Sequence, residues 1–337
     1  MTEDLPEMAS AGMLDAEAFT RTVAEPCTPR VLRGLASDWP TVAAARESRQ
    51  ALFAYLLGFD SGRTAQAFVG APAIGGRYDY ADGAGGFNFD RETLTLPAAL
   101  ARITAAADRP DLPSLYLGSL PAELHFPGFA EENATLPLPP GARPRIWLGN
   151  ASRVACHYDT YDNLAVVVAG RRRFTLYPPD AIGDLYVGPI DHTMAGQPTS
   201  LAAGCAPDDP RYPRFKAARE RALVFELDPG DALYIPKLWW HQVEATEPVN
   251  MLVNYWWDGF GAGPDAPYTT MLLAMIAIAE RPAAERAAWR AFFDHYVFRP
   301  DGHPLAHLPE ERHGILGPLR ANYGRIRATI MQILRGG

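Results

Sequence analysis

The sequence predicts a mainly β fold with added helices, in which many short antiparallel strands form a sandwich or barrel. Between residues 112 and 257, short runs of β-branched and aromatic residues recur, each bounded by Gly, Pro or Asp, which is typical of antiparallel sheets. Helical spacing is found towards the two ends of the chain. With 337 residues, 48% of them hydrophobic and 21% charged, the chain has the composition of a globular protein with a large core.

Residues 1–111 are expected to form an N-terminal α+β region that packs on the core. Helical patterns cover residues 13–57, interrupted by the extended segment 29–34. Glycines and aromatics alternate between residues 65 and 95. This alternation predicts short strands and loops that decorate a larger sheet.

Residues 112–260 are expected to form the core. The clearest strand patterns are 145–148, 154–161, 164–168, 174–177, 222–227, 232–235 and 250–257. Each is short and bounded by turn-forming residues, as in a barrel or a double-layered antiparallel fold.

Residues 261–337 are expected to form a C-terminal helical region, which the Gly-rich segment 259–264 separates from the core. Its last part carries an apolar stripe in a 3-4-3-4-3 spacing, formed by Leu316, Leu319, Tyr323, Ile326, Ile330 and Ile333. Such a narrow stripe is suited to packing against another helix. Two alternatives are open: the stripe packs on the protein's own core, or it forms the seam of a homodimer.

The net charge and the lack of targeting segments narrow the function classes. A formal net charge of -8 removes the broad attraction to phosphates, so no nucleic-acid partner is expected. The chain has no run of about 18 apolar residues, and its first residues are acidic, so we expect no membrane span and a cytoplasmic location. The 3 cysteines lack C-x-x-C spacing, which favours neither a disulfide framework nor a thiolate zinc site.

Two short motifs carry the predicted chemistry. His157 and Asp159 lie in a strand pattern, in which residues two apart point to the same face. His241 follows the predicted strand 232–235. Two histidines and one carboxylate make a facial triad, which leaves open the coordination positions that Fe(II) oxygenases use. The spacing alone is a weak signal, because most isolated histidines only satisfy local hydrogen bonds.

The order of motifs around these residues resembles that of the JmjC oxygenases. The matching pieces are Gly149-Asn150, His157-Tyr158-Asp159, Asn163, 174–179, 230–236 and Trp239-Trp240-His241. The continuous likeness covers about residues 112–260, and segment 29–40 looks like the family's opening. The chain is most similar to the hydroxylase subgroup that contains the asparaginyl hydroxylase inhibiting hypoxia-inducible factor.

This resemblance implies a double-stranded β-helix (jelly-roll, cupin-type) core, Fe(II) held by His157, Asp159 and His241, and 2-oxoglutarate as cosubstrate. A cation must then bind the distal carboxylate of 2-oxoglutarate. Many related oxygenases place an arginine after the distal histidine, but no Lys or Arg lies between His241 and Arg281. The resemblance points instead to Arg172, fifteen residues after His157, where the JmjC hydroxylases have a lysine.

Arg172 departs from the family pattern in a way that a second departure could explain. An arginine presents a planar fork that binds a carboxylate bidentately. Val154 stands where the family has a threonine that donates to the same carboxylate. Two donors on Arg172 could therefore replace a lysine and a threonine. The flanking Arg171 and Arg173 are the alternatives for this role.

Three further residues are assigned to the cosubstrate by resemblance. Tyr116 would donate its hydroxyl to the distal carboxylate, and Asn163 and Asn254 would lie near the metal-binding end of 2-oxoglutarate. Trp256 would wall the pocket. The alternative is that these are core residues, since buried aromatics fill cores and buried amides need hydrogen-bond partners wherever they lie.

The implied reaction converts 2-oxoglutarate to succinate and carbon dioxide while the substrate is hydroxylated. On an N-methyl group the same reaction would end in demethylation. Hydroxylation of a protein side chain is the leading expectation, because the hydroxylase-like motifs occupy the whole core. The alternatives are a hydroxylase of a small molecule or peptide, and a non-catalytic metal-binding cupin that acts as a sensor.

Overall fold

The structure is a computed structural model that describes residues 15–81, 86–134, 136–139, 141–191, 193, 196–261 and 265–336. It has two compact units, Met1–Gly259 and Phe260–Gly337. The acidic start of the chain and residues 262–264 of the Gly-rich segment lie outside the described residues.

The first unit is built on two sheets. In chain order the strands are β1 (Arg30–Leu32), β2 (Thr64–Gly70), β3 (Arg77–Tyr78), β4 (Asp90–Thr95), β5 (Ser114–Pro121), β6 (Arg143–Gly149), β7 (Ser152–His157), β8 (Asp162–Ala169), β9 (Arg172–Tyr177), β10 (Leu223–Leu227), β11 (Ala232–Ile235), β12 (Trp240–Ala245) and β13 (Asn250–Trp257). The 8-stranded sheet has the order β1-β11-β8-β13-β6-β5-β2-β4, and the 5-stranded sheet has the order β10-β9-β12-β7-β3. All pairs are antiparallel except β3 with β7.

Helices lie mainly before the core strands and in the second unit. They are α1 (Ala16–Phe19), α2 (Pro40–Glu47), α3 (Arg49–Leu57), α4 (Leu96–Asp108), α5 (Ala122–His125), α6 (Phe129–Glu132), α7 (Phe215–Glu220), α8 (Pro267–Ile278), α9 (Ala283–Phe293) and α10 (Leu319–Gly336). Serine and threonine begin two of them, since Ser48 caps α3 and Thr95 caps α4 through side-chain oxygens.

Strand β8 shows why the core has three layers. All of its residues are buried, as expected for a strand covered on both faces. Leu164, Val166 and Val168 pack into the cluster that contains the N-terminal helices. Ala165 and Val167 pack into the cluster between the two sheets. One strand therefore contributes alternate side chains to a helix–sheet layer and a sheet–sheet layer.

Gly149, the last residue of β6, and the following Asn150 fix how closely β5 approaches β6. A side chain at Gly149 would place Cβ 2.5 Å from the carbonyl oxygen of Leu115. The next residue, Asn150, accepts from Leu115 N at 3.0 Å and donates to Ile103 O at 2.9 Å and Pro248 O at 3.0 Å. The Gly-Asn pair thus ties a strand, a helix and the turn before β13 together.

The predicted mainly β fold with added helices is confirmed. The predicted strands 232–235 and 250–257 coincide with β11 and β13. Segment 65–95 contributes β2, β3 and β4, of which β2 and β4 extend the larger sheet. The expected 13–28 helix is instead the short α1 followed by a π-helical turn, in which Thr20 and Thr22 bond back to carbonyls four residues earlier.

The predicted strand 154–161 is too long. Strand β7 ends at His157, where its pairing with β12 also ends at His241. The chain turns there because the carbonyl of Asp159 accepts the backbone N–H of Leu238 at 2.8 Å rather than continuing a ladder. Strand β12, which carries His241, was not among the predicted strands.

The second unit is helical, and its helices expose many apolar side chains. Strand elements are lacking among its described residues. None of the residues of α8 is buried, and Ile276 is 82% exposed. In α10, Ile330 is 45% and Ile333 67% exposed.

Candidate active site

A cavity of about 290 Å³ lies between the two sheets. Its walls include all seven residues that the sequence assigned to the metal and the cosubstrate: Tyr116, His157, Asp159, Asn163, Arg172, His241 and Asn254. The remaining wall is mostly apolar and aromatic. Residues from six different strands and one turn are therefore brought to one place by the jelly-roll topology.

The three predicted metal ligands lie together. His157 and His241 are register partners across β7 and β12, with ring centroids 4.4 Å apart. Nε2 of His241 lies 3.7 Å from Oδ2 of Asp159. One potential ligand atom from each residue lies within 4.8 Å of the others, and in the described part of the chain no other such group is found. The arrangement could bind a metal ion.

Backbone carbonyls orient both imidazoles. Nδ1 of His157 lies 2.9 Å from the carbonyl oxygen of Ala155, and Nδ1 of His241 lies 3.0 Å from that of Trp239. A carbonyl can only accept, so Nδ1 carries the proton in each ring and Nε2 keeps its lone pair. Burial, aided by the nearby His157, lowers the pKa of His241 to about 4. The His241 ring is thus neutral at pH 7, as metal ligation requires.

The loop before His241 is held against the loop of Asp159. Leu238 adopts φ +68°, a left-handed conformation that is rare for a branched residue, and its N–H donates to Asp159 O. Trp240 is 1% exposed and meets the Tyr158 ring edge to face at 4.8 Å. These contacts fix the spacing of Asp159 and His241 without a metal.

Arg172 is a buried cation that has no counter-ion among the residues that the structure describes. It is 2% exposed, and its Nε and Nη2 atoms have no hydrogen-bond partner among the described residues. No carboxylate of the described residues forms an ion pair with it. The hydroxyl of Tyr116 lies beside it. Burial raises the pKa of Tyr116 to about 12, so the tyrosine is a neutral donor at pH 7. Burial lowers the pKa of Arg172, but a guanidinium keeps its proton in proteins, so Arg172 is charged.

The flanking arginines face the opposite way. Arg171 pairs with Asp228 at 3.1 Å and Arg173 with Glu226 at 2.6 Å, and all four side chains are at least half exposed. Because side chains alternate along a strand, Arg172 is the one of these three arginines that reaches the cavity.

The two asparagines form one chain of hydrogen bonds. Trp147 Nε1 donates to Asn254 Oδ1 at 2.7 Å, and Asn254 Nδ2 donates to Asn163 Oδ1 at 3.2 Å. Both amides are buried, so these bonds satisfy polar atoms that would otherwise be costly. The network fixes the orientation of the Asn163 amide at the cavity wall.

Several wall residues were missed by the sequence analysis. Arg145 lines the cavity from β6, and Gln197 presents a buried Oε1 without a partner among the described residues. Four aromatic residues were also missed, and together with the predicted Tyr116 and Trp256 they form an aromatic wall: Phe68, Tyr78, Phe89 and Trp147. The alternation Arg145-x-Trp147 could have placed Arg145 on the face of Trp147. Nothing in the sequence indicates that Gln197 lines this cavity.

The cupin-like domain family model matches residues 16–262 of the chain. The chain belongs to the cupin-like domain family. The match includes both sheets and every residue of the candidate site.

The relatives of this cupin-like chain carry diverse names. It is 32% identical to human HSPB1-associated protein 1 over 152 residues, which is 44% of this chain and 30% of that protein. It is 35% identical to the Arabidopsis thaliana lysine-specific demethylase JMJ31 over 119 residues, 34% of this chain and 20% of that protein. It is 31% identical to the Danio rerio tRNA wybutosine-synthesizing protein 5 over 191 residues, 50% of this chain and 54% of that protein.

The matched region thus spans about a third of HSPB1-associated protein 1, a fifth of the demethylase and about half of the third relative. What is common to these matches is a JmjC-type cupin-like domain, a type whose members are typically Fe(II)- and 2-oxoglutarate-dependent oxygenases.

None of the helices in the described residues has the length and apolar content that a transmembrane span needs.

Proposed function

We propose that this protein is an Fe(II)- and 2-oxoglutarate-dependent oxygenase that hydroxylates its substrate, with a protein side chain as the favoured target. One observation carries the proposal: the cavity that holds His157, Asp159 and His241 also holds Arg172, a buried cation that has no counter-ion among the described residues.

The donor set fits iron. Nε2 of His157, Nε2 of His241 and a carboxylate oxygen of Asp159 would hold the iron as a facial triad, a ligand set that leaves coordination positions open for other ligands. Fe(II) and 2-oxoglutarate, when bound, would activate dioxygen, of which one oxygen atom enters the substrate as a hydroxyl group and the other enters succinate, with release of carbon dioxide. The protein's part is to hold the triad, orient the cosubstrate and exclude water.

Arg172 fits the distal carboxylate of 2-oxoglutarate. An unpaired buried charge costs several kcal/mol, and a carboxylate between Nε and Nη2 would offset this cost with two charge-assisted hydrogen bonds. Tyr116 adds a neutral hydroxyl donor beside them. The apolar side chains of Val154, Phe174 and Leu252 line the same cavity and exclude competing water from this end.

The hydrogen-bonded side chains of Asn163 and Asn254 suit the metal-binding end of 2-oxoglutarate. Asn254 accepts from Trp147 and donates to Asn163, so we propose that it acts through Asn163. The Asn163 Nδ2 group remains to donate towards the cavity. We assign Asn163 to an oxygen of the bound 2-oxoglutarate and Asn254 to holding that amide in place.

Two finer assignments rest on the sequence. The motif order favours the hydroxylase subgroup over demethylation, and the net charge of -8 favours a protein or peptide substrate over nucleic acid. We also propose that the chain divides into an N-terminal region, a core at 112–260 and a helical region at 261–337.

The helical region is proposed to form a homodimer. A helix that is apolar all round is normally buried, yet α8 exposes Met271, Leu272, Leu273, Met275 and Ile276. Since consecutive residues point in different directions around a helix, contacts on one face alone would not cover them. A second copy of the same region would supply a matching apolar surface.

The test is conversion of 2-oxoglutarate to succinate with Fe(II) and ascorbate, with and without candidate peptides captured from a lysate and identified by mass spectrometry. The wild-type protein is expected to form succinate slowly alone and faster with substrate, whereas Asp159→Ala is expected to form none. Metal binding by the wild type without any succinate would favour a non-catalytic sensor and contradict the proposal.

A further inference from the structure

A second arginine enters the cavity from the sheet opposite Arg172. Arg145 lies in β6 of the 8-stranded sheet, whereas Arg172 begins β9 of the 5-stranded sheet. The backbone of Arg145 pairs with Asn254 on one side and Pro121 on the other. Its side chain lines the cavity, and burial lowers its pKa. The two cations therefore occupy different walls.

The contacts of Arg145 hold it in position but leave its charge uncompensated. Its Nε donates to Ser119 Oγ at 2.5 Å, and its guanidinium carbon lies 5.4 Å from the centroid of the Trp256 ring. Within the described ranges, no carboxylate forms an ion pair with Arg145. The stacking and the hydroxyl bond direct the guanidinium, while its two terminal amino groups keep their donors for another group.

Trp256 provides a second unused donor at the same place. Its Nε1 is buried and has no acceptor among the described residues. A buried N–H without a partner costs about 1–3 kcal/mol, and an acceptor supplied by a ligand would offset this cost. Arg145 and Trp256 both donate only, so this acceptor carries oxygen lone pairs and, to match the arginine, a negative charge.

We infer that Arg145, together with Trp256 Nε1, binds an anionic group of the substrate, a carboxylate or a phosphate. The inference rests on the proposed function, because it assigns Arg172 to 2-oxoglutarate and leaves Arg145 for the molecule to be oxidised. Arginine is suited to both anions, since its planar fork matches either oxygen pair.

The cavity wall next to Arg145 indicates the chemistry of the rest of that substrate. Trp147 meets Trp256 edge to face at 6.0 Å and stacks with Tyr116 at 6.0 Å. Tyr116 in turn lies 6.2 Å from Phe68, which lies 5.1 Å from Phe89. A continuous surface of rings favours a flat or apolar group over a hydrated one. The substrate class is thus an anion attached to an apolar or aromatic body.

The experiment uses four probes of one shape: benzoate and phenyl phosphate as anions, benzamide and phenol as their neutral counterparts. Each protein is loaded with Mn(II), which lacks the reactivity of iron towards oxygen, and titrated by calorimetry first with 2-oxoglutarate and then with a probe. Arg145→Gln removes the charge, and Arg143→Gln is the matched control, because Arg143 lies on the same strand but is exposed outside the cavity.

In the wild type, at least one anion is expected to bind about tenfold or more tightly than its neutral counterpart, as charge-assisted hydrogen bonds would give. Arg145→Gln is expected to lose this preference and Arg143→Gln to keep it, with the Kd for 2-oxoglutarate unchanged in both. Preference for benzoate or for phenyl phosphate identifies the anion as a carboxylate or a phosphate.

Three results would overturn the inference: no anion preference in the wild type, a preference that survives in Arg145→Gln, or a loss of 2-oxoglutarate binding in Arg145→Gln. The last result would assign Arg145 to the cosubstrate. Failure of 2-oxoglutarate to bind the wild type contradicts the proposed function alone, since an Arg145-dependent anion preference can still be measured on that protein.

Discussion

His241 donates its Nδ1 proton to the carbonyl oxygen of Trp239, two residues earlier, across 3.0 Å. The carbonyl group that orients the ring thus lies in the same short segment of chain as His241 itself. Because His157 is held in the same way by Ala155, both Nε2 atoms are directed into the cavity before any metal arrives. Preorganised ligands lose little conformational entropy on binding.

Replacement of His241 is expected to abolish tight metal binding. His241→Ala removes one of three ligands, and we expect Mn(II) affinity, followed by electron paramagnetic resonance, to fall by about a hundredfold or more. His295→Ala is the control, since His295 is an exposed histidine of the second unit. Equal affinity in both variants would show that the metal binds elsewhere.

Arg172 and Val154 are expected to act as a compensating pair. Arg172→Lys keeps the charge but loses the bidentate fork, so the Kd for 2-oxoglutarate should rise by about tenfold. Adding Val154→Thr restores a hydroxyl donor at the neighbouring wall position and should recover part of that affinity. Calorimetry on the Mn(II)-loaded proteins measures both effects. An unchanged Kd in Arg172→Lys would argue against the compensation.

Asn254 is expected to stabilise the fold as well as the site. Asn254→Ala leaves the partly buried Trp147 Nε1 without its acceptor, so the free energy of unfolding in urea should fall by about 1–3 kcal/mol. The Kd for 2-oxoglutarate should rise because Asn163 loses its partner. Asn322→Ala, which removes an asparagine of the second unit that donates to Gly314 O, should leave the Kd for 2-oxoglutarate unchanged; a similar rise of this Kd in both variants would count against a role for the amide chain.

Gly149 is expected to tolerate no side chain. Gly149→Ala would bring Cβ to 2.5 Å from Leu115 O and 3.0 Å from Tyr116 Cα, and backbone cannot rotate away as a side chain can. We expect a loss of about 1–3 kcal/mol in unfolding free energy. Gly183→Ala meets no atom within 4 Å and should cost less than about 0.5 kcal/mol. Chemical denaturation of both variants decides whether the β5–β6 approach is this tight.

The C-terminal helices are expected to hold a dimer that one charge can disrupt. In Ile276→Glu, a carboxylate would be buried in the apolar contact at a cost of several kcal/mol, so sedimentation velocity should show a monomer where the wild type is a dimer. Leu57→Glu introduces the same charge at an exposed leucine of α3 and should leave the dimer intact. A monomeric wild type at micromolar concentration would refute the proposed dimer.

The sequence was most informative where short patterns carry their own geometry. The strands 232–235 and 250–257 were predicted with the bounds that the structure has, because runs of β-branched and aromatic residues end there at turn-forming residues. All seven predicted site residues reach one cavity.

Elsewhere tertiary contacts decide. Asp159 lies beyond the end of β7 rather than inside a strand, because Leu238 takes its carbonyl. The pairing of β1 with β11 joins segments about two hundred residues apart, which no local pattern encodes. Arg145 and Gln197 become wall residues only when the two sheets face each other.

Three consecutive arginines, residues 171–173, lie at the start of strand β9. If β9 shifted by one residue against β10 and β12, Arg171 or Arg173 would occupy the cavity position, and the positive charge would survive the error. The packing of the apolar side chains would be lost, because Phe174 and Leu176, both buried between the sheets, would turn outward. The register of β9 is therefore set by these two hydrophobic residues, and substitutions that change the charge at positions 171 and 173 would leave Arg172 in the cavity.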